Sequence, residues 1–283
     1  MKTTTFILFI VTGLSSCTHK QTITEMPLRE KMKGNWKTEY FKGAWKETAY
    51  IFTFQDSTCT YLHPWGEYSN YWINGDTLNI KERIIKWRDN ERGGKITYKF
   101  LVDSITSDNL TLKPITEETK KLLDNYENEV FDKIHLIKIK SQFDWKTERI
   151  GFYSTVCFGT CPSMYFEIDS VGNILFNGKY FTEKEGFYSG KLSAYQFEII
   201  KSEVNSIRLD SLNKMYSANW TDDQTCGVII KTSNTTYKSS AYGFDKEPIE
   251  LRILFHRLME LYKNVELKKD TTIQEKFKFK GVQ

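Results

Sequence analysis

The sequence predicts a β-rich, α+β fold in two domains, and three observations carry that prediction. Aromatic residues make up 15% of the chain, led by 19 Phe and 16 Tyr. With threonine, these side chains suit the pleated surface of strands. Apolar residues recur with period two along most of the chain, broken by short turn signals. Two segments near the C-terminal end switch to the helical period, the pattern of a sheet with helices on one face.

The N-terminal run comes first. Lys2 precedes nine mostly apolar residues, Phe6 to Leu14, well short of the roughly 20 that a spanning helix needs. The run ends in Leu14-Ser15-Ser16-Cys17, which resembles the lipobox of bacterial lipoproteins. The resemblance implies that residues 1–16 are a signal peptide and that Cys17 becomes the N-terminus. Its sulfur would carry a diacylglycerol and its amine a further acyl chain. One acyl chain binds membranes with an association constant of only about 10⁴ M⁻¹, whereas several chains hold stably. The competing reading is an ordinary secretory signal with an incidental cysteine. Thr18-His19-Lys20-Gln21 lacks the acidic cluster that sends some lipoproteins to the cell exterior. The expected location is therefore the cell envelope, on the periplasmic side and at the outer membrane.

Removing the signal leaves 267 residues, suited to two domains. Only one charge leaves with it, so 39 basic residues face 36 acidic ones. That balance carries no electrostatic footprint for nucleic acid. Residues 17–30 read as a tether. Residues 31–141 read as an antiparallel β-meander or barrel. Tyr50, Phe52 and Phe54 share one face, Tyr98, Phe100 and Val102 another, and Ile137 and Ile139 a third. Turns are expected at Gln55-Asp56-Ser57, Asn74-Gly75-Asp76, Gly93-Gly94 and Ser107-Asp108-Asn109. The polar stretch Thr116 to Asn128 predicts a surface helix with a loose cap at Thr116. Gly34-Asn35-Trp36, with the Asn74 to Leu78 turn, resembles the lipocalin-like domains of bacterial lipoproteins over residues 32–140. That resemblance implies that Trp36 closes the base of the barrel.

Residues 146–266 predict the second domain, an antiparallel sheet with two helices. Strands are expected at 149–156, 163–169, 173–181 and 187–191, with a hairpin on Ser170-Val171-Gly172-Asn173. Ser193 and Gln196 form a capping box ahead of the stripe Phe197, Ile200, Val204 and Ile207. A second hairpin joins 228–232 to 235–239. Pro248 begins a last helix whose Leu251, Leu254, Leu258 and Leu261 share a face. Residues 267–283 read as a basic, solvated tail.

The most distinctive stretch is Cys157-Phe158-Gly159-Thr160-Cys161-Pro162. With Tyr165, Gly172, Gly178-x-Tyr180 and the approach from Gly186 to Gly190, it resembles a bacterial family catalogued as domain of unknown function 6438, over residues 147–265. No activity comes with that resemblance. In an oxidising compartment the preferred arrangement of these thiols is a Cys157–Cys161 disulfide around Gly159. Closing a five-residue ring contributes only about 2 kcal/mol of loop entropy, against about 4.3 kcal/mol for a 66-residue ring from Cys161 to Cys226. The longer link and free thiols therefore stay open, and Cys59 reads as a lone thiol. A redox pair would need a helix after the motif. A zinc site would need Cys157, Cys161 and Cys226 plus a histidine.

Neither a nucleophile elbow nor a phosphate loop is present, and His19, His63, His135 and His256 are spread along the chain without a nucleophile beside them. His63-Pro64-Trp65-Gly66 and Asp222-Asp223 read as turns. The function expected is a non-catalytic binding or interaction module, needing no cofactor and no metal. Its partners would be the membrane, through lipid on Cys17, and an envelope protein or a small apolar ligand. The second reading is a carrier of an apolar ligand, its barrel lined by Trp36, Trp45, Trp65, Tyr68, Tyr71 and Trp72. A filled barrel is preferred to a hollow one, because eight-stranded interiors are just wide enough for side chains. The third is a thiol-based enzyme.

Overall fold

The computed structural model describes residues 27–39, 41–42, 47–62, 68–81, 96–124 and 132–279. Cys17, His19, Trp45, His63, Trp65 and the Gly93-Gly94 turn lie outside them. A short helix, α1 (Leu28–Met32), leads into β1 (Gly34–Lys37). A separate hairpin, β2 (Phe41–Lys42) and β3 (Glu47–Thr48), follows. Then come β4 (Ile51–Phe54), β5 (Thr58–Thr60), β6 (Ser69–Asn74), β7 (Thr77–Lys81), β8 (Thr97–Ile105), β9 (Asn109–Pro114) and β10 (Ile134–Lys138). With β1, these seven close an antiparallel eight-stranded barrel in the order β1-β10-β9-β8-β7-β6-β5-β4. The helix expected before the last strand is α2 (Glu117–Asp124), and the Thr116 hydroxyl caps it by accepting from the Thr119 N–H at 3.3 Å.

The barrel's period-two pattern has a simple physical result: one side of each strand fills the interior. Tyr50, Phe52 and Phe54 point inward, as do Tyr98, Phe100 and Val102. Phe52 meets Phe100 edge-on with ring centres 6.2 Å apart, and Phe54 meets Tyr71 at 5.4 Å. The described interior is thus packed ring against ring. The third expected face lies on the outside of the barrel. On β10 the inward residues are Ile134 and Leu136, while Ile137 faces outward and Ile139 packs beneath the second domain.

The second domain is built from β11 (Thr147–Ser154), β12 (Ser163–Asp169), β13 (Asn173–Tyr180), β14 (Gly186–Lys191), α3 (Ala194–Val204), β15 (Met215–Ser217), β16 (Thr225–Thr232), β17 (Thr236–Tyr242), α4 (Ile249–Leu261) and β18 (Leu267–Lys269). Its sheet runs β15-β17-β16-β11-β12-β13-β14-β18. The expected hairpins and both helices are present, and the Ser193–Gln196 capping box closes in both directions. One pair departs from an all-antiparallel sheet. The chain leaves α3, turns through Leu209–Ser211 and reaches the edge already running with β17, so β15 pairs in parallel. Met164, Phe166 and Ile168 on β12 meet Ile200 and Val204 of α3 and Leu251, Leu254 and Leu258 of α4 in a single core.

The C-terminal segment is not a free end. β18 extends the sheet beside β14, and Ile273 and Phe277 bury against Tyr165 on the face opposite the helices. Lys268, Lys269, Lys276 and Lys278 stay exposed, which is why their charges suggest a solvated tail. Its attachment is polar as well as apolar. The fully buried Glu167 carboxylate accepts the backbone N–H of Phe279 at 2.8 Å and that of Lys278 at 2.8 and 3.0 Å. It also accepts the Tyr165 hydroxyl at 2.5 Å and Arg149 Nη1 at 3.2 Å. Gly151 leaves room for this crossing, since a Cβ there would run into the Phe279 ring.

Candidate functional site

The barrel rests on the outer side of α3 and α4, so the helices lie between barrel and sheet. Ala49 and Ile51 of the barrel side pack on Ile249 and Ile253 of α4, and Lys37 pairs with Glu250 at 2.8 Å. At the centre of this seam is a second buried carboxylate. Glu203 of α3 receives Arg257 of α4 through Nε at 3.0 Å and Nη2 at 2.7 Å, and Asn35 of β1 through Nδ2 at 3.1 Å. The capped start of α3 fixes the direction in which Glu203 emerges three turns later.

Arg257 is turned further toward the barrel, with its guanidinium carbon 5.7 Å from the centre of the Tyr68 ring. The other neighbour of that ring is His256, at 5.3 Å. Burial pulls the Arg257 guanidinium down, but the charge of Glu203 outweighs it and raises the group above its ordinary value. Burial also pushes the Tyr68 phenol up to about 12. Both groups therefore hold one protonation state through the neutral range, and neither suits proton transfer there.

Beside these residues the seam opens into a cleft of about 700 Å³, within the range of small-molecule sites. Gln55, Thr58 and Tyr68 form its barrel wall, and Tyr195, Ile199 and Arg257 belong to its helix wall. A second lobe of about 390 Å³ continues toward Lys33, Asn35 and Lys138. Gln55, Tyr195, Ile199 and Arg257 line both lobes.

The aromatic set proposed as a barrel lining separates. Trp36 is wholly buried, its indole N–H donates to the Met32 carbonyl at 2.7 Å, and Lys138 Nζ sits 4.9 Å over its ring. Trp72 is on the outward side of β6 and 41% exposed, while its neighbour Tyr71 takes the inward position. Period two puts adjacent residues on opposite faces, so both cannot line one interior. Tyr68 precedes β6 and faces the seam, outside the barrel interior. Trp45 and Trp65 lie outside the described residues.

Cys157 and Cys161 are joined as a disulfide, with Cα atoms 5.5 Å apart. The loop is fastened at its base: Gln224 Nε2 donates to the carbonyls of Thr155 and Pro162, each at 2.8 Å, and Ser154 Oγ donates to Pro162 at 2.6 Å. Phe158 at its tip is 88% exposed. The longer pairing does not form, because Cys226 is a free, buried core thiol on β16. Cys59 is likewise free and buried in the barrel. Burial pushes both thiols well above their ordinary value, Cys226 further so through Glu247 and Asp223. The zinc arrangement loses two of its three sulfurs to each other. His135 is exposed and bonds Thr111 at 3.2 Å. Asp223 accepts the Trp220 indole N–H at 3.0 Å as part of its turn.

Sequence reasoning missed Glu203, Arg257, Gln55 and Tyr195, which converge from three separate segments: the β4–β5 turn, α3 and α4. A buried glutamate within a helical apolar stripe was the available signal for Glu203. No curated protein matches this chain. Residues 148–262, from the second position of β11 to Tyr262 just past α4, match the family model described as domain of unknown function (DUF6438). The chain thus carries a DUF6438 domain, docked by its two helices against an eight-stranded barrel.

Proposed function

We propose that the protein is a non-catalytic lipoprotein of the cell envelope, a binding module whose ligand site is the cleft between barrel and helices. The observation that carries this reading is the cleft itself. It is lined by residues of both domains and braced by the Glu203–Arg257 pair. Such a site forms only when the two domains are docked, and interfaces between domains are preferred places for ligands. The buried, raised thiols of Cys59 and Cys226 weigh against a thiol enzyme. The apolar-carrier reading has no comparable support, because packed rings occupy the described interior of the barrel.

The lipocalin-like assignment of the barrel belongs to the same proposal. It draws on Trp36, buried with its indole N–H on the Met32 carbonyl of α1, and on the Lys138 ammonium over its ring, a cation–π contact that fixes both side chains. Anchoring rests on Cys17. Membrane fractionation of Cys17→Ala tests it: release into the soluble fraction is expected, and retention on the membrane sinks the lipoprotein reading. For the binding site, a fragment screen by protein-observed NMR is decisive. Fragments that bind are expected to shift resonances of Gln55 and Tyr195. Binding confined to other surfaces would overturn the site.

A further inference from the structure

We infer that the cleft recognises a neutral saccharide, with Tyr195 as its stacking platform; the inference rests on the cleft being the binding site. The charges around it are already cancelled. Arg257 is held by Glu203 at 2.7 Å, Lys263 by Glu260 at 3.0 Å, Lys33 by Asp56 at 2.5 Å and Lys140 by Asp108 at 2.6 Å. The Lys138 ammonium is engaged by the Trp36 ring, 4.9 Å from its centre. An anionic or cationic ligand would have to lose its hydration in a cleft whose charges, Lys138 apart, are already paired with one another. A neutral ligand meets no such penalty.

The groups that remain available suit hydroxyls. Arg257 spends Nε and Nη2 on Glu203, and Nη1 has no hydrogen bond among the described residues. A guanidinium offers its donors in a fixed plane. The Thr58 hydroxyl on the barrel wall provides a donor and an acceptor, and the Gln55 amide, which engages the Tyr68 hydroxyl, keeps further hydrogen-bonding capacity. Asn264 commits Nδ2 to the Glu260 carbonyl and leaves Oδ1 to accept. A ligand dense in groups that both donate and accept satisfies such a set better than an apolar one, which would leave it unpaired.

Tyr195 supplies the apolar complement. It opens α3, is 48% exposed, and has no ring contact or hydroxyl hydrogen bond among the described residues. The Tyr68 ring, by contrast, is already covered by Arg257 and His256. Tyr195 also stands where the two lobes meet, so a ring stacked on it can extend into both. Sugar rings present a C–H face flanked by hydroxyls, and a rigid aromatic side chain with a polar rim matches that surface.

Titrations of the purified chain, read by chemical shifts and calorimetry, test this. The probes are two neutral disaccharides, N,N′-diacetylchitobiose and maltose, the anionic sugar N-acetylneuraminate, and a terminally blocked Ala-Ala-Ala peptide. Expected is that at least one disaccharide shifts Tyr195 and Gln55 and binds at least fivefold more tightly than the anion. Tyr195→Ala, a half-exposed change that leaves the melting temperature in place, is expected to weaken it at least fivefold, in keeping with the worth of an aromatic contact. Equal binding by Tyr195→Ala would remove the platform and the inference with it. If only the blocked peptide shifts these residues, the saccharide falls while the cleft stands as a binding site. If no probe shifts them, both fall.

Discussion

Glu203 and Glu167 are buried on opposite faces of the second domain, and they are satisfied in different ways. Glu203, on the helix face, is met by a guanidinium and an amide from other elements. Glu167, on the outer face, is met mainly by main-chain N–H groups of a passing segment, with a phenol and an arginine beside them. The first joins two side chains whose charges need each other. The second holds a backbone that any sequence could offer. Glu203 therefore specifies which surfaces dock, while Glu167 specifies where the chain comes to rest. Charge-assisted bonds are the stronger kind in both places, and both carboxylates are too deep for water to replace a lost partner.

The contrast can be broken first at the seam. Glu203→Ala leaves Arg257 charged and buried without its partner, and a loss of about 3–5 kcal/mol in urea unfolding is expected. A loss below about 1 kcal/mol would show that Arg257 finds water and that the pair does not brace the cleft. Glu167→Ala is expected to cost about 2–3 kcal/mol, as hydrogen bonds to a charged group do. Its effect should be confined to one face: faster amide exchange at Lys278 and Phe279, and faster trypsin cleavage after Lys276, with barrel protection intact. Exchange that rises equally in the barrel would contradict the division between the two carboxylates.

Removing the disulfide by Cys157→Ser with Cys161→Ser sharpens the comparison, since it touches neither carboxylate. The five-residue ring should be worth about 2 kcal/mol in chemical denaturation, with the Glu203 and Glu167 environments unchanged by NMR. The smallest effect is expected at Asp169, which accepts the N–H groups of Val171 at 3.0 Å and Asn173 at 2.9 Å. Burial pushes its carboxyl up, but the bonds from Asn173 and Val171 prevail and hold it below the ordinary range. A depressed folded value means stability that is present above the unfolded pKa of about 3.9 and lost as pH falls through the folded one. Asp169→Ala should cost about 1 kcal/mol at neutral pH, and its difference from wild type should shrink below about pH 4. A constant difference down to pH 2 would assign the effect to packing.

Much of the fold was legible in the sequence because its signals are local. Met164, Phe166 and Ile168 alternate visibly, Ser193 and Gln196 announce a helix start, and Cys157-x-Gly-x-Cys161-Pro162 closes on itself. The C-terminal docking was not legible. Ile273, Phe277 and Phe279 are diluted by lysines, and their partner surface lies more than a hundred residues earlier, around Tyr165 and Glu167. The odd feature was Glu167 itself, a charge set between Phe166 and Ile168 where both faces of the strand turn out to be covered. The cleft was still less visible. Its residues come from the β4–β5 turn, α3 and α4, and only the docking of two domains makes them neighbours. Trp36, Trp65 and Trp72 attracted attention by size, whereas Tyr195 gains its place from what it is left without.

The two margins of the large sheet carry a further consequence. One ends in β15 and the other in β18, each three residues long, and the latter displays Lys268 and Lys269. Unpaired strand margins are templates on which other chains can polymerise, and brevity and lysine are two means by which proteins blunt them. The docked C-terminal segment thus serves colloidal as well as folding ends: a chain truncated before Leu267 would present β14, six residues long, as a bare margin and should self-associate at concentrations where the intact protein stays dispersed.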